Sequence, residues 1–193
     1  MAVIDSNKKE INFKIVYYGP ARSGKTSSIH AVQEGIQVSK KSKIKKHPET
    51  DKTIFFDFLA LSSESIGGYK TKFQVYTVPG QVLYEDSRKL LLKGVDGLLF
   101  VADSRLEKLE DNIRSMSELR DHLQSMGYIP GDIPTVLQYN KRDLPSAPQV
   151  DELRKTLNIY HWADFETVAI KGQGVVDAFK ECVRQVVLNL KEV

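Results

Sequence analysis

The segment Gly19-Pro20-Ala21-Arg22-Ser23-Gly24-Lys25-Thr26 constrains this chain more than any other, because of what flanks it. Ile11–Tyr18 before it is a short apolar run ending at the glycine loop, which reads as a buried strand. A helix is predicted after it, from about Lys25 to Ile36. A glycine loop between a buried strand and a helix lets backbone N–H groups curl around a phosphate chain, and the helix N-terminus adds positive potential. Lys25 can reach β- and γ-phosphates, and the Thr26 hydroxyl can ligate Mg²⁺. Alone, the loop separates neither ATP from GTP nor a hydrolase from a kinase.

The rest of the chain alternates strands with helices. Thr53–Ser62 and Tyr69–Val78 read as strands around the turn cluster Ser63–Gly68, and should form an antiparallel hairpin. A helix follows Pro79-Gly80 to about Leu92. Val95–Ala102 is a nearly continuous apolar strand, Leu106–Met126 a long charged helix, and Ile133–Tyr139 another buried strand. Val150–Leu157 is a short helix, Phe165–Ala169 a last strand, and Val175–Leu190 a last helix. The pattern predicts one domain over residues 1–193: an α/β doubly wound, mostly parallel six-stranded sheet with one antiparallel strand. Ligands in such sheets bind at the carboxyl ends of the strands.

With 41% hydrophobic and 27% charged residues the chain is neither disordered nor collagen-like. It lacks the apolar run of ~20 residues that a membrane span needs. With no signal-like N-terminal block and no lipidation cysteine near the C-terminus, a cytoplasmic protein is expected. The one cysteine, Cys182, lies on an apolar helix face and should pack in the core. The net charge of +3 comes from Lys40, Lys41, Lys43, Lys45 and Lys46, without which the chain would be slightly acidic. This cluster reads as a solvated, mobile loop, or as a surface for an acidic partner or an anionic membrane. With no aromatic residue interleaved it makes a poor platform for nucleic acid, so none is expected as a partner.

Three further sites complete the reading. Asn140-Lys141-Arg142-Asp143 follows the strand Ile133–Tyr139 at the same rim of the sheet as the phosphate loop. A carboxylate there can accept from guanine N1–H and the 2-amino group. Adenine offers neither donor and would leave Asp143 buried and unpaired. Asn140 can bridge the base edge and the phosphate loop, and the Lys141 stem can lie over the ring. In Thr77-Val78-Pro79-Gly80-Gln81, Gly80 can offer its N–H to a γ-phosphate and Gln81 can orient an attacking water. Thr53 can add a second hydroxyl to Mg²⁺.

These motifs, in this order and spacing, resemble small Ras-like GTPases with the P-loop small GTPase fold, over nearly the whole chain from about Ile11 to Leu190. More closely, Lys14-Ile-Val-Tyr-Tyr-Gly-Pro, Glu49-Thr-Asp-Lys-Thr-Ile-Phe-Phe-Asp-Phe-Leu, Tyr76-Thr-Val-Pro-Gly-Gln and Gln138-Tyr-Asn-Lys-Arg-Asp-Leu-Pro resemble the bacterial MglA family. Thr77 stands where most Ras-like proteins have aspartate and MglA proteins have threonine. The resemblance implies a GTP/GDP switch with Mg²⁺ that controls cell polarity and motility. It also implies a roadblock-type MglB-like activating partner and polar scaffold or motility effectors, for a monomer recruited to a cell pole. Carried over by position, the nucleotide would be held by Gly19, Ala21, Arg22, Ser23, Gly24, Lys25, Thr26, Ser27, Thr53, Gly80, Asn140, Lys141, Asp143 and Ala169, the last through a backbone contact to the guanine carbonyl. The metal would fall to Thr26 and Thr53, and catalysis to Gln81, Lys52 and Thr53.

Two positions depart from the family. Ala21 stands where MglA proteins usually have glycine, and Lys52 where they usually have an arginine finger. A methyl group crowds the catalytic glutamine, and a lysine lacks the planar fork that grips phosphate. Slow intrinsic hydrolysis is therefore expected. The alternative is a GTP-bound interaction scaffold with little or no turnover. A P-loop ATPase or small-molecule kinase is disfavoured by Asp143 and by the lack of an acidic residue before Gly80.

Overall fold

A computed structural model of the protein describes residues 2–37, 40–42, 45–48, 55–78, 85–129 and 131–190. Its strands are β1 (Val3–Asp5), β2 (Glu10–Tyr18), β3 (Lys40–Lys41), β4 (Lys45–Pro48), β5 (Phe55–Ile66), β6 (Tyr69–Thr77), β7 (Gly97–Asp103), β8 (Thr135–Asn140) and β9 (Ala163–Thr167). Its helices are α1 (Lys25–Gly35), α2 (Glu85–Leu92), α3 (Leu109–Ser125), α4 (Val150–Leu157) and α5 (Val175–Leu188).

The body of the sheet runs β5-β6-β2-β7-β8-β9, parallel throughout except for the β5–β6 hairpin. This is the six-stranded doubly wound arrangement expected. Side chains alternate between two cores, as the pleat requires. Ile11, Phe13, Ile15 and Tyr17 of β2 face α1 and α5, together with Leu99, Val101 and Val136. Val16 and Tyr18 face the other way with Leu98, Phe100, Leu137 and Tyr139, against Leu91, Leu92, Leu119 and Leu153 of α2, α3 and α4. Cys182 lies fully buried in the first core, where burial pushes its thiol far up, so its expected packing role stands.

Three short strands were not foreseen. β1 pairs antiparallel with the start of β2, while β3 and β4 both pair antiparallel with β5. Lys40, Lys41, Lys45 and Lys46 thus lie on edge strands, where a loop was expected; Lys43 falls outside the described residues. The first strand of the hairpin also runs further than expected, to Ile66, so that only Gly67 and Gly68 turn. Their φ values of 57° and 82° are the paired positive angles of a type I′ turn, which twists in the same sense as the strands it joins. The last strand begins two residues earlier than predicted and ends before Ala169, which sits in a 3₁₀ turn over Ala169–Lys171.

The order reverses at β2. The chain builds β6 on one side of it and then crosses to β7 on the other. The carboxyl end of β2, where the phosphate loop begins, is therefore the crevice in which open α/β sheets bind ligands.

Candidate nucleotide site

The phosphate loop is held by its backbone. Gly19 stands at φ 134°, Arg22 at 60° and Gly24 at 112°. A Cβ on Gly19 would run into the Val101 carbonyl, and one on Gly24 into the side-chain amide of Asn140. Lys25, at 7% exposure, donates from Nζ to the carbonyl oxygens of Gly19 (2.8 Å) and Pro20 (2.7 Å). Its charge is thereby fixed inside the curl of the loop at the N-terminus of α1, where an anion is favoured. Ala21 and Arg22 are exposed on the loop; Ser23 is buried and Ser27 half-buried. Thr26 is exposed in the first turn of α1. Among the described residues no three His, Cys, Asp or Glu side chains cluster to hold a metal. The donors at this loop fit Mg²⁺ carried by phosphate and hydroxyl oxygens.

The second loop leaves β8 and is tied to the first through one side chain. Asn140 Nδ2 donates to the Ser23 carbonyl (2.7 Å), while its Oδ1 accepts from the Ala169 amide (2.9 Å) and the Thr167 hydroxyl (3.2 Å). Asn140 is 3% exposed, so these bonds are made in a low-dielectric interior where they specify geometry strongly. The Ala169 amide, expected to meet a guanine carbonyl, is here a donor to Asn140. Arg142 fixes the outside of the loop to β9. It bonds Glu166 Oε2 (2.7 Å), the Pro148 carbonyl (2.8 Å) and, from its own amide, the Thr167 carbonyl (3.2 Å). Asp143 keeps its carboxylate partly exposed, 4.0 Å from Lys171 Nζ. Lys141, at φ 69°, reaches Asp103 Oδ2 at 2.6 Å.

Asp103 was missed by the sequence reading, as were Arg105 and Thr167. Burial raises the Asp103 carboxyl, but hydrogen bonds from Arg105, Lys141 and the Arg105 amide outweigh it and leave the group below the usual carboxylate range. The signal was present: a charged residue ends a fully buried strand at the same rim as Asn140.

Thr77 closes β6 opposite Tyr17, and the Val78 amide donates to the Tyr17 carbonyl (3.0 Å). The hairpin thus delivers the chain to the level of Gly19. Lys52, Thr53, Gly80 and Gln81 lie outside the described residues. A separate apolar cavity of about 310 Å³ lies between α3 and α4, lined by Met116, Leu123, Ile133 and Trp162 among others. It sits at the amino ends of β8 and β9, away from the phosphate loop, and its walls are wrong for a polyanion.

The geometry therefore joins the Gly19–Thr26 loop, the Asn140–Asp143 loop and the Ala169 turn through one side chain. The family model of the ADP-ribosylation factor family matches residues 1–186. The mutual gliding-motility protein MglA of Myxococcus xanthus (strain DK1622) is 49% identical over 193 residues, covering all of this chain and 99% of the relative. A putative ras-related protein Rab-5B of Dictyostelium discoideum is 27% identical over 188 residues, 96% of this chain and 80% of that protein. The ADP-ribosylation factor-like protein 4D of Mus musculus is 25% identical over 164 residues, 84% and 74% of the two chains. The chain belongs to the ADP-ribosylation factor family and is an MglA-type small GTPase, a GTP-binding switch that hydrolyses GTP.

Proposed function

We propose that this GTPase controls cell polarity and motility as an MglA-type switch, with slow intrinsic hydrolysis accelerated by a roadblock-type MglB-like partner. What carries the reading is Asn140, which holds the phosphate loop at Ser23 and the base-reading loop at Ala169 with one side chain. Such a brace makes phosphate binding and base recognition one event. The 49% identity to a mutual gliding-motility protein supports the motility role.

In this reading Gly19 to Ser27 cradle the phosphates and Lys25 neutralises the β- and γ-oxygens. Asp143 reads the guanine edge and Lys141 covers its face. Thr26 and Thr53 would hold Mg²⁺, which when bound would withdraw charge from the phosphate oxygens. Gly80 follows the γ-phosphate and Gln81 orients the attacking water. Lys52 supplies charge where an arginine would supply charge and a fork. The protein acts as a monomer in the cytoplasm, recruited to a pole by scaffold or effector proteins that recognise the GTP form.

The test is expression in a Myxococcus xanthus strain lacking its own MglA. Restored gliding, lost again with Lys25→Ala, is the expected result. No restoration by a stably expressed protein would contradict the motility role.

A further inference from the structure

Lys141 is held at its head. Its ammonium lies 2.6 Å from Asp103 Oδ2; the lysine side chain is 25% exposed and the aspartate 1%. The acceptor is fixed before the lysine reaches it. The Asp103 amide donates to Asn112 Oδ1 (2.9 Å), and its carbonyl accepts from Asn112 Nδ2 (2.8 Å). Asn112 is fully buried on α3. The next residue, Ser104, donates its amide to the Asn140 carbonyl (2.9 Å), which binds the end of β7 to the base-reading loop.

The charge of Asp103 does not require Lys141. Arg105 already donates to it three times: from Nε to Oδ1 (3.0 Å), from Nη2 to Oδ2 (2.8 Å) and from its amide to Oδ1 (3.2 Å). A forked guanidinium satisfies a carboxylate by itself. The lysine gains what the aspartate does not need. A free lysine is a flexible four-carbon stem with a strongly hydrated head. Pinned at the ammonium, the same stem becomes a fixed apolar shelf. Lys141 lies between Asn140 and Asp143 in the chain, so the shelf borders the place where those residues would meet a base.

We propose that Asp103 is the positioning residue for Lys141, pinning its ammonium so that the lysine stem packs against the face of the bound guanine. Asp103 itself touches no nucleotide. The proposal rests on reading Asn140–Asp143 as the guanine loop. A ring face carries no edge information, so the contribution is the same for guanine and hypoxanthine, whereas Asp143 distinguishes them through the 2-amino group.

The experiment is stopped-flow release of fluorescent GDP and IDP from the full-length protein with Mg²⁺. Asp103→Asn should speed GDP release about tenfold, the order of one charge-assisted hydrogen bond. IDP release should rise by the same factor. Lys141→Met keeps the stem and lacks the pin; it should release as fast as Asp103→Asn, and the double variant no faster than either. That non-additivity is what a merely structural role would not give. Effects that multiply in the double variant would overturn the proposal. So would wild-type release from Lys141→Met beside fast release from Lys141→Ala, which shows that the stem needs no pin and stands even if Asp103→Asn does not fold. Wild-type release from Lys141→Ala would instead sink the reading of the guanine loop itself, and the proposal with it.

Discussion

Gly24 carries no side chain because the Asn140 amide occupies the space a Cβ would take. The position also stands at φ 112°, where a side chain is strained whatever the room. Gly24→Ala should therefore displace Asn140 from the Ser23 carbonyl and lower stability by about 1–3 kcal/mol, the cost of strain with a lost buried hydrogen bond. GDP affinity should fall with it. Urea unfolding and a fluorescent-GDP titration would show both; an unchanged affinity would mean that the brace does not serve the nucleotide. The need for glycine here was legible in the motif. The reason for it was not, because Asn140 and Ser23 are 117 residues apart and only the fold brings them together. For the same reason the sequence allows Asn140 to bridge the base edge and the phosphate loop without naming Ser23, Ala169 or Thr167 as its partners.

At the level of elements, α4 is fastened to β9 by a forked ion pair. Arg154 donates from Nε and Nη2 to the Asp164 carboxylate at 2.8 and 2.7 Å, and Asn158 adds a third bond at 3.0 Å. The Arg154 hydrogen bond holds the Asp164 carboxyl below its usual range, against the opposing effect of burial, with Asn158 helping. A lowered folded-state value means stability that is present above the unfolded value, about pH 4, and lost as pH falls through the folded one. Asp164→Asn should cost up to about 1 kcal/mol at pH 7, given a half-exposed arginine, and progressively less as pH falls below about 4. Thermal melts of both proteins across that range would check it. The same charges explain why this strand was placed too late in the sequence. Asp164 does not read as a strand residue, yet Arg154 neutralises it in place. β3 and β4 were missed for a related reason. A lysine-rich segment shows no apolar alternation, but an edge strand needs none. The parallel strands β7 and β8, buried along their whole length, were legible to within two residues at their starts and one at their ends.

Across the whole molecule, the strands converge so that loops far apart in the chain share one rim. The phosphate loop, Asp103, the Asn140–Asp143 loop and the Ala169 turn all lie at carboxyl ends of parallel strands. In the proposed reading, Ala21 and Lys52 slow hydrolysis by different routes. A displacement of Gln81 by about 1 Å can cost roughly 100-fold, and an arginine finger contributes about 10³–10⁵. Ala21→Gly with Lys52→Arg should therefore speed single-turnover hydrolysis by at least about 100-fold while leaving GTP affinity within about tenfold. Equal rates for both proteins, with and without an MglB-like partner, would show that these positions do not limit catalysis. The joined site makes a stronger demand, that phosphate and guanine are bound together. Its most direct test is a set of equilibrium titrations with fluorescent GTP, ATP and XTP on the wild-type protein and Asp143→Asn. The wild type should bind GTP at least about 100-fold tighter than ATP, because adenine leaves the Asp143 carboxylate unpaired. Asp143→Asn should lose GTP and gain XTP, whose oxygen in place of the amino group accepts from the new amide. Equal affinity of the wild-type protein for ATP and GTP would contradict the joined site.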